Sequence, residues 1–318
     1  MPGLDVVVVN WNTGEQLRAC LGSIAGADRR GFELRRVVVV DNASDDGSAG
    51  RLEREGLPLA LVPNERNRGF ASACNQGASG SEADYILFLN PDTRLSAGSL
   101  AHAVSYLDLP ENRAVGLAGV RLVDESGNTA PSCSRFPTLA ALLSKSLGLH
   151  RLSARLFPTY ALPLREHESD RDVDCVMGAF FLVRRTAFEA LGGFDERFFV
   201  YFEETDFARR MRSRGWTCRY LAGASVYHRG GGASEQAGAE RLFYAAASRI
   251  LYARKHFGPL AAGVFLASAL TLEPAFRIIA SVLPRAGGSP RDTARAYSML
   301  YRALPRVLRG MSVDGRAA

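Results

Sequence analysis

The sequence has few cysteines, and their spacing argues against the sites that cysteines usually build. The five are scattered, odd in number and never spaced as CxxC: Cys20, Cys74, Cys133, Cys175 and Cys218. This pattern argues against a disulfide framework and a zinc site, and it favours a reducing compartment. The amino terminus also lacks a basic segment followed by a cleavable apolar run. The sequence therefore predicts a cytoplasmic protein.

Lysine is nearly absent from the chain. Lys145 and Lys255 are the only two, so arginine carries almost all of the positive charge behind the net charge of +6. No nucleic-acid recognition motif accompanies this charge, so no nucleic-acid partner is expected. A nucleotide diphosphate or anionic lipid headgroups would suit the positive balance better.

The apolar run near the carboxyl terminus is shorter than a membrane-spanning helix needs. Residues 258–272 are uncharged, but the stretch is shorter than the roughly 20 apolar residues of a spanning helix. Glu273 then interrupts it. Two interpretations stay open: a buried helix, or a helix in the membrane interface that gives peripheral contact with the cytoplasmic face of the inner membrane. The basic residues that would reach the lipid headgroups are Arg254, Lys255, Arg277 and Arg285.

The first half of the chain alternates short Val/Leu-rich runs with helix-like segments. The predicted strands cover residues 4–9, 36–40, 59–62 and 85–89. The predicted helices cover residues 15–24, 46–54, 71–78 and 96–107. Such alternation is typical of an α/β fold with a parallel sheet covered by helices.

The second half is less regular at its start. Residues 131–172 are rich in Pro, Ser and Arg and are predicted to form an insertion with a short helix at 140–147. A strand at 115–123 is expected near the sheet edge. Later strands are predicted within 173–183 and at 218–221 and 225–227, and later helices at 186–191 and 205–214. From residue 238 onward the pattern is helical and amphipathic.

Asp92 follows the apolar run 85–89 and the sequence Asn90-Pro91. An unbroken apolar run indicates a strand buried on both faces, and Pro91 ends it because proline cannot donate to the ladder. Asp92 is therefore expected at the carboxyl edge of the sheet, where open α/β folds bind ligands. A carboxylate there suits a divalent cation with a phosphorylated ligand, although an Asx-turn is the alternative.

Polar side chains also follow the first three predicted strands. Asn10 and Asn12 follow the first strand, and Asp41 and Asn42 follow the second. Asp41 is placed to accept a hydrogen bond from a ring N–H or a ribose hydroxyl, whereas Ser44 or Asp45 could simply cap the next helix. After the third strand, the stretch 64–77 contains Asn67, Gly69, Phe70 and Asn75, and its glycine lets a helix begin close to a ligand. Arg66 or Arg68 could meet a diphosphate there.

A cluster of carboxylates and a histidine in the second half of the chain complete the candidate site. Glu203, Glu204 and Asp206 follow an aromatic run at a predicted helix start, and the helix dipole explains one carboxylate better than three. Crowded, partly buried carboxylates have raised pKa values, as a general base near neutral pH requires. His228 follows a strand and precedes Gly230-Gly231-Gly232; such a histidine is either structural or a metal ligand.

These motifs, taken in order, resemble the family 2 inverting glycosyltransferases with the GT-A fold. The matching segments are VVVNWN, VVVDNASDDGS, NRGFASACNQG, LFLNPDT, GAFFLVRR, GGFDERFFVYFEETDFARR and VYHRGG. They look most like the bacterial branch of rhamnosyltransferases in cell-wall and O-antigen assembly. The resemblance covers residues 4–232 and implies a Rossmann-like mixed sheet with flanking helices, followed by C-terminal amphipathic helices.

The resemblance also implies an organisation and a set of roles. Residues 1–237 would form the catalytic domain, with a nucleotide-sugar-binding half at 1–130 and an acceptor-binding half at 131–237, and residues 238–318 a helical region. Nucleotide contacts would come from Asn10, Asn12, Asp41, Asn42, Asn67, Gly69, Phe70, Asn75 and Asn90. Asp92 and His228 would hold Mg²⁺ or Mn²⁺, and Gly178 and Asp195 would contact the acceptor. Glu204 would be the base, with Glu203 and Asp206 as alternatives.

The implied reaction is transfer of a sugar with inversion. The donor would be a nucleotide-diphospho-sugar, with dTDP-rhamnose favoured over UDP-sugars, and the acceptor a glycan or polyprenyl-linked glycan. Glu204 stands at a position where most relatives carry Asp, and Asn90 stands at a position where many relatives do. Two rivals are a non-catalytic nucleotide-sugar-binding protein and a dinucleotide oxidoreductase, and the second is disfavoured because no GxGxxG follows the first strand.

Overall fold

The computed structural model describes residues 1–50, 52, 56–153, 155–230, 238–281 and 289–313. The chain forms two compact units. The first comprises Met1–Arg135, Ala161–Asp195 and Glu204–Ala233, and the second comprises Phe136–Tyr160, Glu196–Glu203 and Ser234–Ala318. This division follows contacts; the predicted functional division at residues 130 and 237 stays a prediction.

The first unit is built on a mixed sheet. Its strands are β1 (Gly3–Asn10), β2 (Glu33–Asp41), β3 (Leu59–Pro63), β4 (Tyr85–Leu89), β5 (Thr93–Leu95), β6 (Val115–Val123), β7 (Thr129–Ala130), β9 (Arg171–Val173), β11 (Phe180–Arg184) and β12 (Thr217–His228). Two short strands, β8 (Cys133–Ser134) and β10 (Cys175–Val176), pair with each other. The main order is β3-β2-β1-β4-β11-β6-β12-β5, with β7 beside β6 and β9 beside β12.

The strand directions set one functional edge. Strands β3, β2, β1 and β4 are parallel to one another, whereas β11 runs antiparallel between β4 and β6. Strand β12 is parallel to β6. The carboxyl ends of β1, β2, β4, β6 and β12 therefore lie at the same edge of the sheet, where ligands bind in open α/β folds.

The helices lie where hydrophobic periodicity predicts most of them. They are α1 (Glu15–Ala25), α2 (Phe70–Ala78), α3 (Ser99–Asp108), α4 (Leu139–Ser146), α5 (Arg185–Ala190), α6 (Glu203–Arg212), α7 (Gly238–His256), α8 (Pro259–Ser281) and α9 (Pro290–Leu308). The predicted helix at 46–54 is wrong for its described part, because residues 46–50 form bends and turns. Residues 51 and 53–55 lie outside the described residues.

Close packing fixes the two faces of β1. Leu4, Val6 and Val8 are buried in one core together with the apolar residues of α1. On the other face, a Cβ added to Gly77 of α2 would overlap Val7 Cγ1. Only glycine allows α2 to lie this close to the strand, because any larger residue would force the backbones apart.

Two sequence expectations about the later strands are wrong. Strand β6 was expected near the sheet edge, but it lies inside the sheet between β11 and β12. The strands expected at 218–221 and 225–227 are one strand, β12, with a register shift between Leu221 and Ser225. Both differences arise from pairing between segments distant in the chain, which local periodicity does not report.

The second unit has its own apolar core, formed by α4, α7, α8 and α9 with the segment at 196–203. Phe243, Phe265 and Leu300 are fully or almost fully buried in it. Glu273, which interrupts the apolar run in the sequence, is completely buried and accepts hydrogen bonds from Arg249 (2.6 Å) and Arg277 (2.9 Å). The charge at this position is therefore neutralised inside the unit.

Helix α8 is longer than the sequence indicated. It has 23 residues, and its length and composition alone would allow it to cross a membrane. Only 28% of its most apolar window is buried. The large apolar side chains that it exposes are Leu260, Val264, Leu272, Phe276, Ile278 and Ile279. Arg285, predicted at headgroup level, lies outside the described residues.

Candidate active site

Asp92 and His228 meet at the carboxyl edge of the sheet. Strand β4 ends at Leu89, and the next turn leads into β5, whose Thr93 pairs with His228 at the end of β12. The Arg229 N–H donates to the Asp92 carbonyl at 3.2 Å, which holds the two segments together. His228 Nε2 lies 3.4 Å from Asp92 Oδ1, and only 10–12% of each side chain is exposed.

This pair offers one carboxylate oxygen and one imidazole nitrogen, a donor set that suits a divalent cation. Over the described part of the chain, no group of three or more His, Cys, Asp or Glu side chains is arranged to hold a metal ion. The remaining ligands would therefore have to be oxygens of a bound substrate or water. A metal role for the pair stays a prediction, and Gly231 and Gly232 after it lie outside the described residues.

Hydrogen bonds and packing contacts hold the turn that carries Asp92 in place. Asn90 N donates to Ala179 O at 3.1 Å, and Thr93 Oγ1 donates to Asn90 O at 2.7 Å. The Cys20 thiol also contacts Thr93 and Asn90 O. Burial raises the pKa of Cys20 to about 12, so it stays a thiol and supports the turn by packing.

Asn10 and Asp41 form a buried network at the ends of β1 and β2. Asn10 Nδ2 donates to Asp41 Oδ1 at 2.8 Å and to Ser48 Oγ at 2.8 Å. Ser44 Oγ donates to Asp41 Oδ1 at 2.6 Å. The carboxylate is thus oriented by the protein, with acceptor capacity left for a ligand.

Asn12 links the same two turns. It has a positive φ of 50°, a conformation that asparagine tolerates better than most residues. Its backbone N–H donates to Ser44 Oγ at 3.0 Å, and its Oδ1 accepts from Asp45 N at 2.9 Å. The alternative that Ser44 or Asp45 caps a helix is wrong for the described residues, because the segment after them is not helical.

Asn42 organises the loop before α2. Its Oδ1 accepts hydrogen bonds from Asn64 Nδ2 (3.0 Å) and Arg68 N (3.2 Å), and its Nδ2 donates to Gly69 O (3.1 Å). Gly69 itself has φ +85°, and its N–H donates to Asn67 Oδ1. Phe70 then begins α2. The loop is therefore ordered by the residues that were predicted to bind the nucleotide.

Asn75 has a partner that the sequence did not indicate. Its Nδ2 donates to Phe194 O and its Oδ1 accepts from Phe194 N, both at 2.9 Å. A Cβ on Gly193 would come within 2.5 Å of Asn75 Oδ1, so the glycine is required for this approach. Asn75 thus joins α2 to the loop that carries Asp195, and a nucleotide contact for it stays a prediction.

The three clustered carboxylates differ in burial. Asp206 is fully buried, and its Oδ2 accepts from Arg210 Nε at 2.7 Å. Arg210 also donates to the carbonyls of Leu191 and Gly193. Glu203 is 5% exposed, whereas Glu204 is only partly buried. Of the three side chains, Glu204 is therefore the most exposed, although its Oε2 atom is buried.

Backbone strain precedes this cluster. Tyr201 and Phe202 both have positive φ values, 69° and 68°, which large side chains rarely adopt. Strained residues of this kind occur often at functional sites, because surrounding structure must hold them in place. The aromatic run in the sequence gave no signal of this strain.

The two predicted acceptor contacts lie on loops of the first unit. A Cβ added to Gly178 would meet no atom within 4 Å, so this position faces open space just before β11. Asp195 directly follows Phe194, which packs in an aromatic cluster with Phe88, Phe181 and Phe207. Their contact with an acceptor stays a prediction.

The ion pair of Asp206 leads to a stability prediction. We expect Asp206→Asn to lower the free energy of unfolding by about 3 kcal/mol, because Arg210, which is only 20% exposed, would lose the fully buried carboxylate that neutralises its charge. Chemical denaturation measures this loss. Glu204→Gln is the matched control and should change the stability by well under 1 kcal/mol, since Glu204 is partly exposed; equal losses would contradict the assignment of a structural role to Asp206.

Comparisons with known proteins agree with this architecture. The family model described as "Glycosyl transferase family 2" matches residues 5–192. An N-acetylglucosaminyl-diphospho-decaprenol L-rhamnosyltransferase of Mycobacterium tuberculosis is 30% identical over 242 residues, which cover 71% of this chain and 75% of that protein. Rhamnosyltransferase WbbL of Escherichia coli is 28% identical over 151 residues, 46% of this chain and 53% of that protein.

A solved structure shares the fold. The mannosyltransferase PcManGT from Pyrobaculum calidifontis, in complex with GDP-Man and Mn²⁺, aligns with a TM-score of 0.54. The alignment covers 95% of this chain and 81% of that one at 20% sequence identity. The mixed sheet with flanking helices is therefore the GT-A fold that the resemblance implied.

Proposed function

The chain belongs to glycosyl transferase family 2, in its rhamnosyltransferase-like branch, and from that premise we propose which sugar transfer it performs. It is a glycosyltransferase. The proposed reaction moves a sugar, with rhamnose favoured, from a nucleotide-diphospho-sugar to a hydroxyl of a glycan or polyprenyl-linked acceptor. The rhamnosyltransferase activity named for both relatives supports the sugar, and the N-acetylglucosaminyl-diphospho-decaprenol named for the M. tuberculosis relative supports the lipid-linked acceptor. The product would serve cell-surface polysaccharide assembly.

Glu204 is proposed as the general base of a single inverting displacement. It removes the proton of the acceptor hydroxyl while that oxygen attacks the anomeric carbon. The bond between the anomeric carbon and the diphosphate oxygen breaks on the opposite face, and the nucleoside diphosphate leaves. The partial exposure of Glu204, beside the buried Glu203 and Asp206, supports this choice.

Asp92 and His228 would hold Mg²⁺ or Mn²⁺. Their contact at 3.4 Å is the single observation that carries the proposal, because it joins side chains from two distant segments at the ligand edge of the sheet. When bound, the cation would stabilise negative charge on the diphosphate of the leaving nucleotide. The network of Asn10 and Asp41 and the loop ordered by Asn42 would position the nucleotide.

A donor screen tests this function. Purified protein is mixed with dTDP-rhamnose, UDP-sugars and GDP-sugars, each with and without Mn²⁺, and thermal shift and sugar transfer to a polyprenyl-diphosphate-linked acceptor are measured. Stabilisation by one donor in the presence of Mn²⁺, followed by transfer, is expected, and NMR of the product should show inverted anomeric configuration. Binding without any transfer would instead favour a non-catalytic nucleotide-sugar-binding protein.

We also propose that the protein is cytoplasmic and touches the inner membrane through α8. Helix α8 buries Ala262, Phe265 and Ala269, and it exposes large apolar side chains at other positions, including Leu260 and Phe276. A helix that exposes apolar side chains can lie against the bilayer interface with those side chains buried in the lipid. Such contact would bring the enzyme to a lipid-linked acceptor.

Vesicle flotation tests the membrane contact. We expect the protein to float with vesicles of phosphatidylethanolamine and phosphatidylglycerol, and the double variant Phe276→Asp, Ile279→Asp to bind at least about tenfold more weakly, because two apolar side chains leave the lipid. Leu164→Asp, which changes an exposed leucine of the first unit, is the matched control. Equal flotation of all three proteins, or no flotation of the wild type, would contradict the proposal.

A further inference from the structure

Three side chains form a strip across β6, β12 and β5. Arg121 pairs with Ser225, Val123 pairs with Tyr227, and Tyr227 pairs with Arg94. Paired residues of neighbouring strands point to the same face of a sheet. Arg121, Tyr227 and Arg94 therefore share one face near the carboxyl edge, and we call them the arginine strip. The Arg94 guanidinium lies 4.1 Å from the centre of the Tyr227 ring.

The strip lies on the opposite face from the main core of the first unit. The residues that alternate with it, Leu95, Leu122 and Val226, are buried in that core. His228 alternates with Tyr227 in β12, so its side chain starts from the other face of the strand. The strip is therefore separate from the Asp92–His228 pair, although both lie at the same edge of the sheet.

Strand β10 and helix α6 lie over the face of the sheet that carries the strip. A Cβ on Gly119 would come within 2.7 Å of Val176 in β10, so β10 lies directly over the middle of β6. Helix α6, which carries Glu204, covers the same face of the sheet. The ring of its Phe207 lies 5.7 Å from the ring of Phe181 in β11, and Phe181 points away from the main core that buries Phe180 and Leu182. Arg121, two residues after Gly119, thus lies on the face that carries the proposed base.

Arg121 has no counter-ion over the described residues. Its Nε is buried without a hydrogen-bond acceptor, and Arg121 forms no ion pair with any described residue. The nearby arginines of β12 and α6 differ, since Arg219 pairs with Asp172 and Arg212 pairs with Asp174. Burying part of a guanidinium group without a neighbouring anion costs free energy. This cost favours the binding of an anionic ligand next to Arg121.

We propose that Arg121, assisted by Arg94, binds a diphosphate group, and that this diphosphate belongs to the lipid-linked acceptor. Guanidinium groups bind phosphate oxygens with two parallel hydrogen bonds, which suits this ligand. The donor diphosphate is assigned above to the Asp92–His228 pair, on the other face of β12. The strip therefore supplies a second diphosphate subsite, on the side of Glu204. This inference rests on the proposed sugar transfer for the identity of the acceptor, but diphosphate binding can be measured without transfer.

Kinetics distinguish the two sources of diphosphate. We expect Arg121→Gln to raise the KM for a polyprenyl-diphosphate-linked acceptor at least about tenfold, as the loss of charged hydrogen bonds predicts. The KM for the nucleotide sugar, and kcat/KM for an uncharged alkyl glycoside of the same acceptor sugar, should stay unchanged. Arg121→Lys should recover part of the loss. A raised donor KM with an unchanged acceptor KM would overturn the assignment to the acceptor.

A binding measurement separates this inference from the function. With EDTA present, inorganic pyrophosphate is titrated into wild type, Arg121→Gln and the control Arg113→Gln, which changes an exposed arginine just before β6. We expect calorimetry to show binding to wild type and to the Arg113 variant, and a loss of at least about tenfold in the Arg121 variant. Equal binding by all three would overturn the subsite, whereas selective loss without any sugar transfer would overturn only the proposed function.

Discussion

Glu204→Gln should reduce sugar transfer about 1,000-fold while leaving the affinity for the nucleotide sugar unchanged. The size of the loss follows from general-base catalysis, which contributes roughly 10²–10⁴ in rate. Glutamine keeps the size and shape of the side chain but cannot take the proton of the acceptor hydroxyl. Transfer assays give kcat, and thermal shift with the donor and Mn²⁺ gives the binding.

Two further variants show whether position 204 acts as the base. Glu204→Asp shortens the side chain by one methylene and should retain more activity than Glu204→Gln, because the carboxylate is kept. Asp206→Asn should lose stability rather than intrinsic activity when it is assayed at a temperature where it stays folded. Normal turnover by Glu204→Gln would place the base elsewhere, with Glu203 the next residue to test.

Asp92→Asn should reduce transfer at least about 100-fold, because metal stabilisation of transition-state charge is worth several kcal/mol. The amide removes the anionic ligand while the backbone turn, held by Asn90 and Thr93, keeps its hydrogen bonds. In the wild type, EDTA should abolish transfer and added Mn²⁺ should restore it. The metal-dependent part of the thermal shift with the nucleoside diphosphate should disappear in the variant.

His228→Gln provides a second, independent view of the same site. It removes the imidazole that lies 3.4 Å from Asp92, so it should also weaken Mn²⁺-dependent binding of the nucleoside diphosphate. Asp45→Asn is a suitable control, since Asp45 is an exposed acidic residue that is not assigned to the metal. Full activity of the Asp92 and His228 variants in EDTA would contradict a metal site at this pair.

Much of the fold could be predicted from local patterns. The run 85–89 is a strand with those bounds, and the helices expected at 15–24 and 71–78 are α1 and α2. Apolar periodicity and turn residues act over a few positions, so they identify elements reliably. The helix expected at 46–54 is wrong for residues 46–50, because the polar residues after β2 hydrogen-bond to the β1 turn instead of capping a helix.

The candidate site was less accessible to such reasoning. The motifs identified Asn75 and Asp206 as functional candidates, but the structure gives each a partner within the protein, Phe194 and Arg210. The strain at Tyr201 had no signal in the sequence, and neither had the lack of a counter-ion for Arg121 among the residues that the structure describes. These properties depend on neighbours that are distant along the chain.

The sequence by itself determined the type of most elements and the placement of polar residues at the ends of β1, β2, β4 and β12, because both depend on short-range pattern. Only the tertiary structure decided that β6 lies inside the sheet, that Asp92 contacts His228, and that Glu204 is more exposed than Asp206. The physical reason is that burial, ion pairing and strand order are set by long-range packing. A side chain's environment is created by segments that meet only when the chain folds.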